Sequence, residues 1–267
     1  MSSPRPTLPG DLLAGALHRA PAAPLITQYD DATGERIELS TATLANWVAK
    51  TANLLQDEFD VGPGSSVAVA LPVHWQTAVV LLAVWSCGAA VVDTATEDPD
   101  RLADVDVLLA AQDRLDAVEV PESAELLGLS LHPLGLGMAG YAGPARDFAL
   151  EVRAQGDVFV PYEFPDAGST GLQIGGLELT LGGLTDAARE LGTRLGLTDG
   201  DRVLVDERTA TDAGPVAWLL TPLTAGASLV LYRHPVEEQL VRRAAEERVT
   251  ATLGRRIEGV RELGRPA

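Results

Sequence analysis

A chain of 267 residues that is 46% hydrophobic, 4% aromatic and 22% charged is long enough for one large domain or two modest ones around a buried core. Its 38 acidic residues against 20 basic ones give a net charge of −18, a field that repels phosphate backbones and anionic membranes, so no nucleic-acid or membrane partner is expected. A single cysteine, Cys87, rules out an internal disulfide and a thiol-rich metal site.

The first residues, Met1 to Pro6, carry no basic-then-apolar leader, and no uncharged apolar run reaches the length of a spanning helix, so a cytoplasmic protein is expected. Residues 8–20 have helical spacing, with Asp11 placed to cap. Leu25–Tyr29 and Arg36–Leu39 read as strands joined by the turn Asp30-Asp-Ala-Thr-Gly34. Ser40 or Thr41 caps a helix whose apolar face is Leu44, Trp47, Val48, Thr51, Leu54 and Leu55. Val67–Leu71 is a strand, Trp75–Cys87 an apolar helix closed by Gly88, and Ala89–Asp93 another strand.

Further on, Val105–Ala110 and Leu127–His132 read as strands, and Gly135–Gly143 as a flexible loop or hinge. A helix over Ala145–Ala154 and a strand over Val158–Tyr162 follow. The last third alternates cleanly: helix Leu184–Leu195, strand Arg202–Asp206, helix Pro215–Thr224, strand Ser228–Tyr232, helix Val236–Glu247 and strand Val249–Leu253. Short strands alternating with helices predict an α/β fold with mainly parallel sheets flanked by helices. The whole chain is expected to form one region, with a subdivision into 1–134 and 145–254 around the glycine-rich hinge and a polar tail over 255–267.

The ionisable residues suggest no catalytic set. His18, His74, His132 and His234 lack the spacing of a metal pair. Asp98-Pro-Asp100 and Asp104-Val-Asp106 read as solvated acids, and Arg242-Arg243 with Glu246-Glu247 as exposed ion pairs of little energetic value. Trp47, Trp75, Trp85 and Trp218 lie on apolar helix faces and read as core, and Cys87 as a buried, inert thiol.

Leu44-Ala-Asn-Trp-Val-Ala-Lys-Thr-Ala-Asn-Leu-Leu55, Val61-Gly-Pro-Gly-Ser-Ser-Val-Ala-Val-Ala-Leu-Pro72 and Leu82-Ala-Val-Trp-Ser-Cys-Gly-Ala-Ala-Val-Val92 follow one another in order. Together they resemble the start of the adenylate-forming enzymes: acyl-CoA synthetases, luciferase and peptide-synthetase adenylation domains. Asp166-Ala-Gly-Ser-Thr-Gly-Leu-Gln-Ile-Gly175 resembles the family's phosphate loop at Gly168, Ser169, Thr170, Gly171 and Gly175. Leu219–Leu231 and Glu247–Thr252 are similar to segments that come later in that family. The chain more specifically resembles a small actinobacterial family related to the front part of these enzymes, which implies a truncated version of their N-terminal domain.

That resemblance implies an ATP or AMP site at Gly168, Ser169, Thr170 and Gly171, where backbone N–H groups and two hydroxyls would face an anion. The competing reading is a flexible Gly-Ser-Thr turn, with Asp166 opposing phosphate. Where the family's loop carries lysine this chain has Ile174, and the one lysine among its cations is Lys50, on an early helix. Phosphoryl chemistry needs a cation to balance developing charge. The expectation is therefore a non-catalytic homologue acting as a binding or interaction protein, with no catalytic residue carried over from the family. A homodimer or a protein partner would cover the apolar surface that a truncated fold exposes. The alternatives are a ligase of the AMP-forming acyl-CoA synthetase type completed in trans by a partner, and a nucleotide-sensing module.

Overall fold

The computed structural model describes residues 7–94, 102 and 104–264. Asp98 and Asp100, read above as solvated acids, lie outside the described residues. The chain forms two compact units, one of residues 1–10, 46–72 and 76–184, the other of residues 11–45, 73–75 and 185–267. Each unit holds one largely parallel sheet, the α/β architecture expected from the alternating strands and helices. The glycine-rich stretch 135–143 lies inside the first unit.

In the first unit the strands are β3 (Ser66–Ala70), β4 (Ala90–Asp93), β5 (Val107–Ala111), β6 (Glu125–Leu129), β7 (Arg146–Asp147), β8 (Thr170–Ile174) and β9 (Leu177–Thr180), in the order β7-β6-β5-β3-β4-β8-β9. Only β8 and β9 pair antiparallel. The central strands are near-continuous apolar runs, as strands covered on both faces must be. The helix Trp75–Cys87 is buried on every side, with Ala78, Val79, Val80, Leu82, Ala83 and Val84 fully enclosed, which explains why it lacks a polar face. Gly88 ends it with φ of 82°. Cys87 is buried, and desolvation pushes its thiol up to about 12.

In the second unit β1 (Pro24–Asp30), β2 (Glu35–Ser40), β10 (Arg202–Asp206), β11 (Ser228–Arg233), β12 (Ala251–Leu253) and β13 (Arg261–Leu263) lie in the order β13-β12-β10-β11-β1-β2. All pair parallel except the hairpin β1–β2. The helices in chain order are α1 (Pro9–Arg19), α2 (Thr41–Phe59), α3 (Trp75–Cys87), α4 (Phe148–Arg153), α5 (Leu181–Leu195), α6 (Glu207–Pro215), α7 (Thr221–Ala225) and α8 (Glu237–Glu246). Ser40 starts α2 by accepting from the Thr43 N–H at 3.1 Å.

Four stretches differ from the sequence expectation. Residues 158–162 form no strand; with bends at 158 and 162 they lie along α2, where side-chain amides take the place of a neighbouring strand. Asn53 Nδ2 donates to the carbonyls of Gly156 (2.8 Å) and Val158 (3.0 Å), and Gln56 Nε2 donates to that of Val160 (3.3 Å). Gln56 Oε1 accepts from the Tyr162 N–H at 2.9 Å, and Lys50 Nζ reaches the Gln155 carbonyl at 2.5 Å and Asp157 at 2.7 Å. The helical stretch expected over Pro215–Thr224 is present, as a wide turn over Val216–Leu220 followed by α7; what the pattern did not show is the helix before it, α6, capped by Asp206 and set off by a break at Gly214 (φ 74°). The stretch read as a polar tail supplies β13, an edge strand anchored by Arg261 on Asp201 (2.6 Å) and on the Gly196 carbonyl (2.9 Å). The fourth difference, at residues 166–180, bears directly on the site.

Candidate functional site

Gly168, Ser169, Thr170 and Gly171 are not an open loop. Asp166 Oδ1 accepts from the Gly168 N–H at 2.8 Å, and the Asp166 carbonyl accepts from the Ser169 N–H at 3.1 Å, so this carboxylate turns the backbone on itself. Thr170 and Gly171 begin β8, which returns through Gly175-Gly176 into β9 with Ile174 opposite Leu177. Both turn glycines have positive φ, 54° and 76°, as a two-residue hairpin of type I′ requires.

The same segment caps α5. The Ala167 and Ser169 carbonyls accept from the N–H groups of Gly182 (2.9 Å) and Leu181 (2.8 Å), and Thr180 Oγ1 accepts from the Gly183 N–H at 3.0 Å. These first-turn donors are the ones a helix offers to an anion, and here protein oxygens take them. Gly171 is a packing residue: a Cβ on it would stand 2.8 Å from Leu184 Cδ1, and its carbonyl accepts from the Trp85 indole N–H at 2.7 Å. Gln173 pairs with Glu178 across the hairpin at 2.7 Å.

Two further polar sites lie in the second unit. At the carboxyl ends of β10 and β12 a cavity of about 350 Å³ is lined by Asp206, Arg208, Thr209, Asp212, Gly254 and Arg255. Ligands of open parallel sheets ordinarily bind outside the carboxyl ends of the strands. Asp206 accepts from the Thr209 N–H at 2.7 Å and pairs with Arg255. Burial works against its charge, and these hydrogen bonds hold its carboxyl below the usual range. Gly254 (φ 69°) passes so close to Thr209 that a Cβ would stand 2.4 Å from Cγ2. Beside it, at the ends of β1 and β11, His234 Nδ1 lies 2.8 Å from the buried Asp30, which also faces Arg233 at 3.4 Å. His74 is buried; desolvation, reinforced by Arg233, pushes it down to about 3, so its imidazole is neutral.

The other site is a buried ionic cluster centred on Glu247. Tyr29 Oη (2.6 Å) and Arg36 Nε (2.9 Å) donate to its Oε1, and Arg202 Nη2 donates to its Oε2 at 2.5 Å and to Thr27 Oγ1 at 2.7 Å. The Arg243 guanidinium covers the Tyr29 ring at 4.4 Å. Only 7% of the Glu247 side chain is accessible, so the expectation of an exposed, weak ion pair is corrected for this residue; Arg242 and Glu246 do form an exposed pair at 3.7 Å. A sequence signal existed: an acid at a helix C-terminus opposes the helix dipole unless a cation compensates. For Asp206 the signal was equally local, an aspartate directly after an apolar strand and three residues before Thr209.

No family model matches the chain. It is 45% identical over 256 residues to a TIGR03089 family protein of Mycobacterium tuberculosis (strain ATCC 25618 / H37Rv), covering 92% of this chain and 98% of that one. Among solved structures it resembles an anthranilate CoA ligase in complex with anthranoyl-AMP (TM-score 0.72, 17% identity) and a Mycobacterium tuberculosis fatty acyl CoA synthetase (0.70, 15%). A nonribosomal peptide synthetase aligns similarly (0.67, 17%). These alignments cover 94%, 92% and 94% of this chain but 49%, 49% and 26% of the respective structures, so the chain spans about half the length of the two ligases. The chain belongs to the TIGR03089 family and has the fold of the adenylate-forming ligases.

Proposed function

We propose that this protein is a binding or interaction protein built on the adenylate-forming fold, one that does not by itself activate a carboxylic acid with ATP. The observation that carries the reading is the capping of α5: the Leu181, Gly182 and Gly183 N–H groups are bonded to Ser169, Ala167 and Thr180 oxygens. Residue 174, the position of the loop lysine, is an isoleucine paired with Leu177 in a hairpin closed by two glycines. Drawing a triphosphate into this segment would mean breaking the helix cap, with no ammonium at position 174 to stabilise the leaving pyrophosphate.

A second reading keeps a small-molecule site without turnover. It is favoured by the cavity at the carboxyl ends of β10 and β12, where Arg208 and Arg255 stand beside Asp206 and Asp212. ATP–pyrophosphate exchange over a panel of carboxylic acids, together with calorimetric titration of ATP, ADP and AMP, tests both readings. Neither exchange nor heat is expected. Exchange by the purified chain would overturn the proposal, whereas heat without exchange would select the sensing module.

A further inference from the structure

The segment that α2 holds in place exposes a run of large apolar side chains. Val158, Val160, Tyr162 and Phe164 recur at every second residue and are 77%, 63%, 77% and 76% exposed. Four large apolar side chains exposed within seven residues are more than the scattered single hydrophobics a soluble surface ordinarily carries. Most of the run is tied to α2, because the amides of Asn53 and Gln56 bond the backbone at 156, 158, 160 and 162. A preorganised face of this kind binds without the cost of ordering a loop.

The charges around the row select the occupant. Asp57 accepts from the Tyr162 hydroxyl at 2.9 Å, Asp60 and Glu163 line the same cavity as Tyr162, and Asp166 follows Phe164 by two residues. The cation at the other end, Lys50, is already paired with Asp157. A second copy of this chain would bring the same carboxylates, within a net charge of −18, against these ones. Pro161 and Pro165 also deprive the segment of two N–H donors, which disfavours strand-to-strand pairing of two copies.

We propose that Val158, Val160, Tyr162 and Phe164 form the docking site for a segment of another protein that carries apolar anchors interleaved with lysine or arginine. The apolar side chains supply contact area, and the surrounding carboxylates select a basic partner over an acidic one. The proposal deepens the interaction-protein reading. Its test is independent of the exchange assay, so adenylation activity would remove that reading while peptide capture would still report on this surface.

The test pans a random peptide library against the immobilised wild-type chain and, in parallel, against the V160D and F164D variants. Both positions are exposed, so unchanged thermal melts are expected for the variants. The wild type is expected to enrich peptides that combine aliphatic or aromatic residues with Lys or Arg. A resynthesised peptide from that pool is expected to bind each variant about tenfold more weakly or worse. This loss runs against simple charge attraction, since each variant gains a negative charge. Equal or tighter binding by the variants would reduce the interaction to bulk electrostatics and overturn the proposal. Absence of enrichment, or enrichment of acidic peptides, would overturn it as well. So would a wild-type dimer, seen by light scattering, that dissociates in F164D, because the occupant would then be a second copy.

Discussion

Each unit ties distant stretches of chain together with polar side chains, but by opposite means. In the second unit, Glu247 gathers Tyr29, Arg36 and Arg202 from three strands through charged, largely buried groups. In the first, the neutral amides of Asn53 and Gln56, two buried residues of α2, hold the more exposed residues 156–162. A buried charge is indispensable once its partners exist, because losing one partner strands the others in a medium that solvates them poorly. A neutral amide leaves no charge behind when its bond opens, and the exposed backbone it held can turn to water instead. The contrast predicts global fragility in one unit and local opening in the other.

The largest expected effect is Glu247→Ala, which leaves the Arg202 guanidinium, only 14% accessible, without its carboxylate. About 3 kcal/mol of stability should be lost, measured by denaturant unfolding followed through signals of the second unit. A loss within error of zero would mean that water reaches Arg202 and that the cluster is not buried in solution.

Acid should discriminate between the units next. Burial opposes the charge of Glu247, but hydrogen bonds from Tyr29, Arg202 and Arg36 overcome it and lower its pKa; Asp206, Asp201 and Asp30 are lowered in the same way. A carboxylate whose folded pKa lies below its unfolded value, about 4 for these groups, stabilises fully above that value. The stabilisation is lost as pH falls through the folded pKa. All four groups are in the second unit, whereas the lowered carboxylates of the first, Glu151 and Asp157, are more exposed, so hydrogen exchange below about pH 4 should rise in the second unit before it rises in the buried strands of the first. Simultaneous opening of both sheets would contradict this.

The smallest effect is Asn53→Ala, expected to cost about 1 kcal/mol and to appear as faster exchange and proteolysis at residues 156–160 while the global melt barely moves. A large shift in the melt would show that this segment is integral to the first unit's core.

What was legible in the sequence was periodicity. The apolar run Trp75–Cys87 and the strand Arg202–Asp206 have the boundaries their patterns dictate, because burial alone fixes them. The segment 158–162 alternates just as a strand does, yet its pairing partner is a helix, and no local pattern records who satisfies a backbone. Glu247 was misread because a pair at helical spacing looks the same whether or not a strand from elsewhere covers it. The Gly-Ser-Thr resemblance drew attention to residues 168–171, while the stronger local signal, Gly175-Gly176 between alternating residues, marked a hairpin. Nothing local shows that Gly182 and Leu181 would donate back to Ala167 and Ser169, since that contact depends on how the hairpin folds over.

The brevity of that turn limits what substitution can achieve. With only two residues between Ile174 and Leu177, a lysine at 174 would project from a paired strand, several residues away from the helix start it would have to assist. The Gly175-Gly176 turn thus fixes the register of β8 against β9, and with it the face of the hairpin that any side chain at 174 presents.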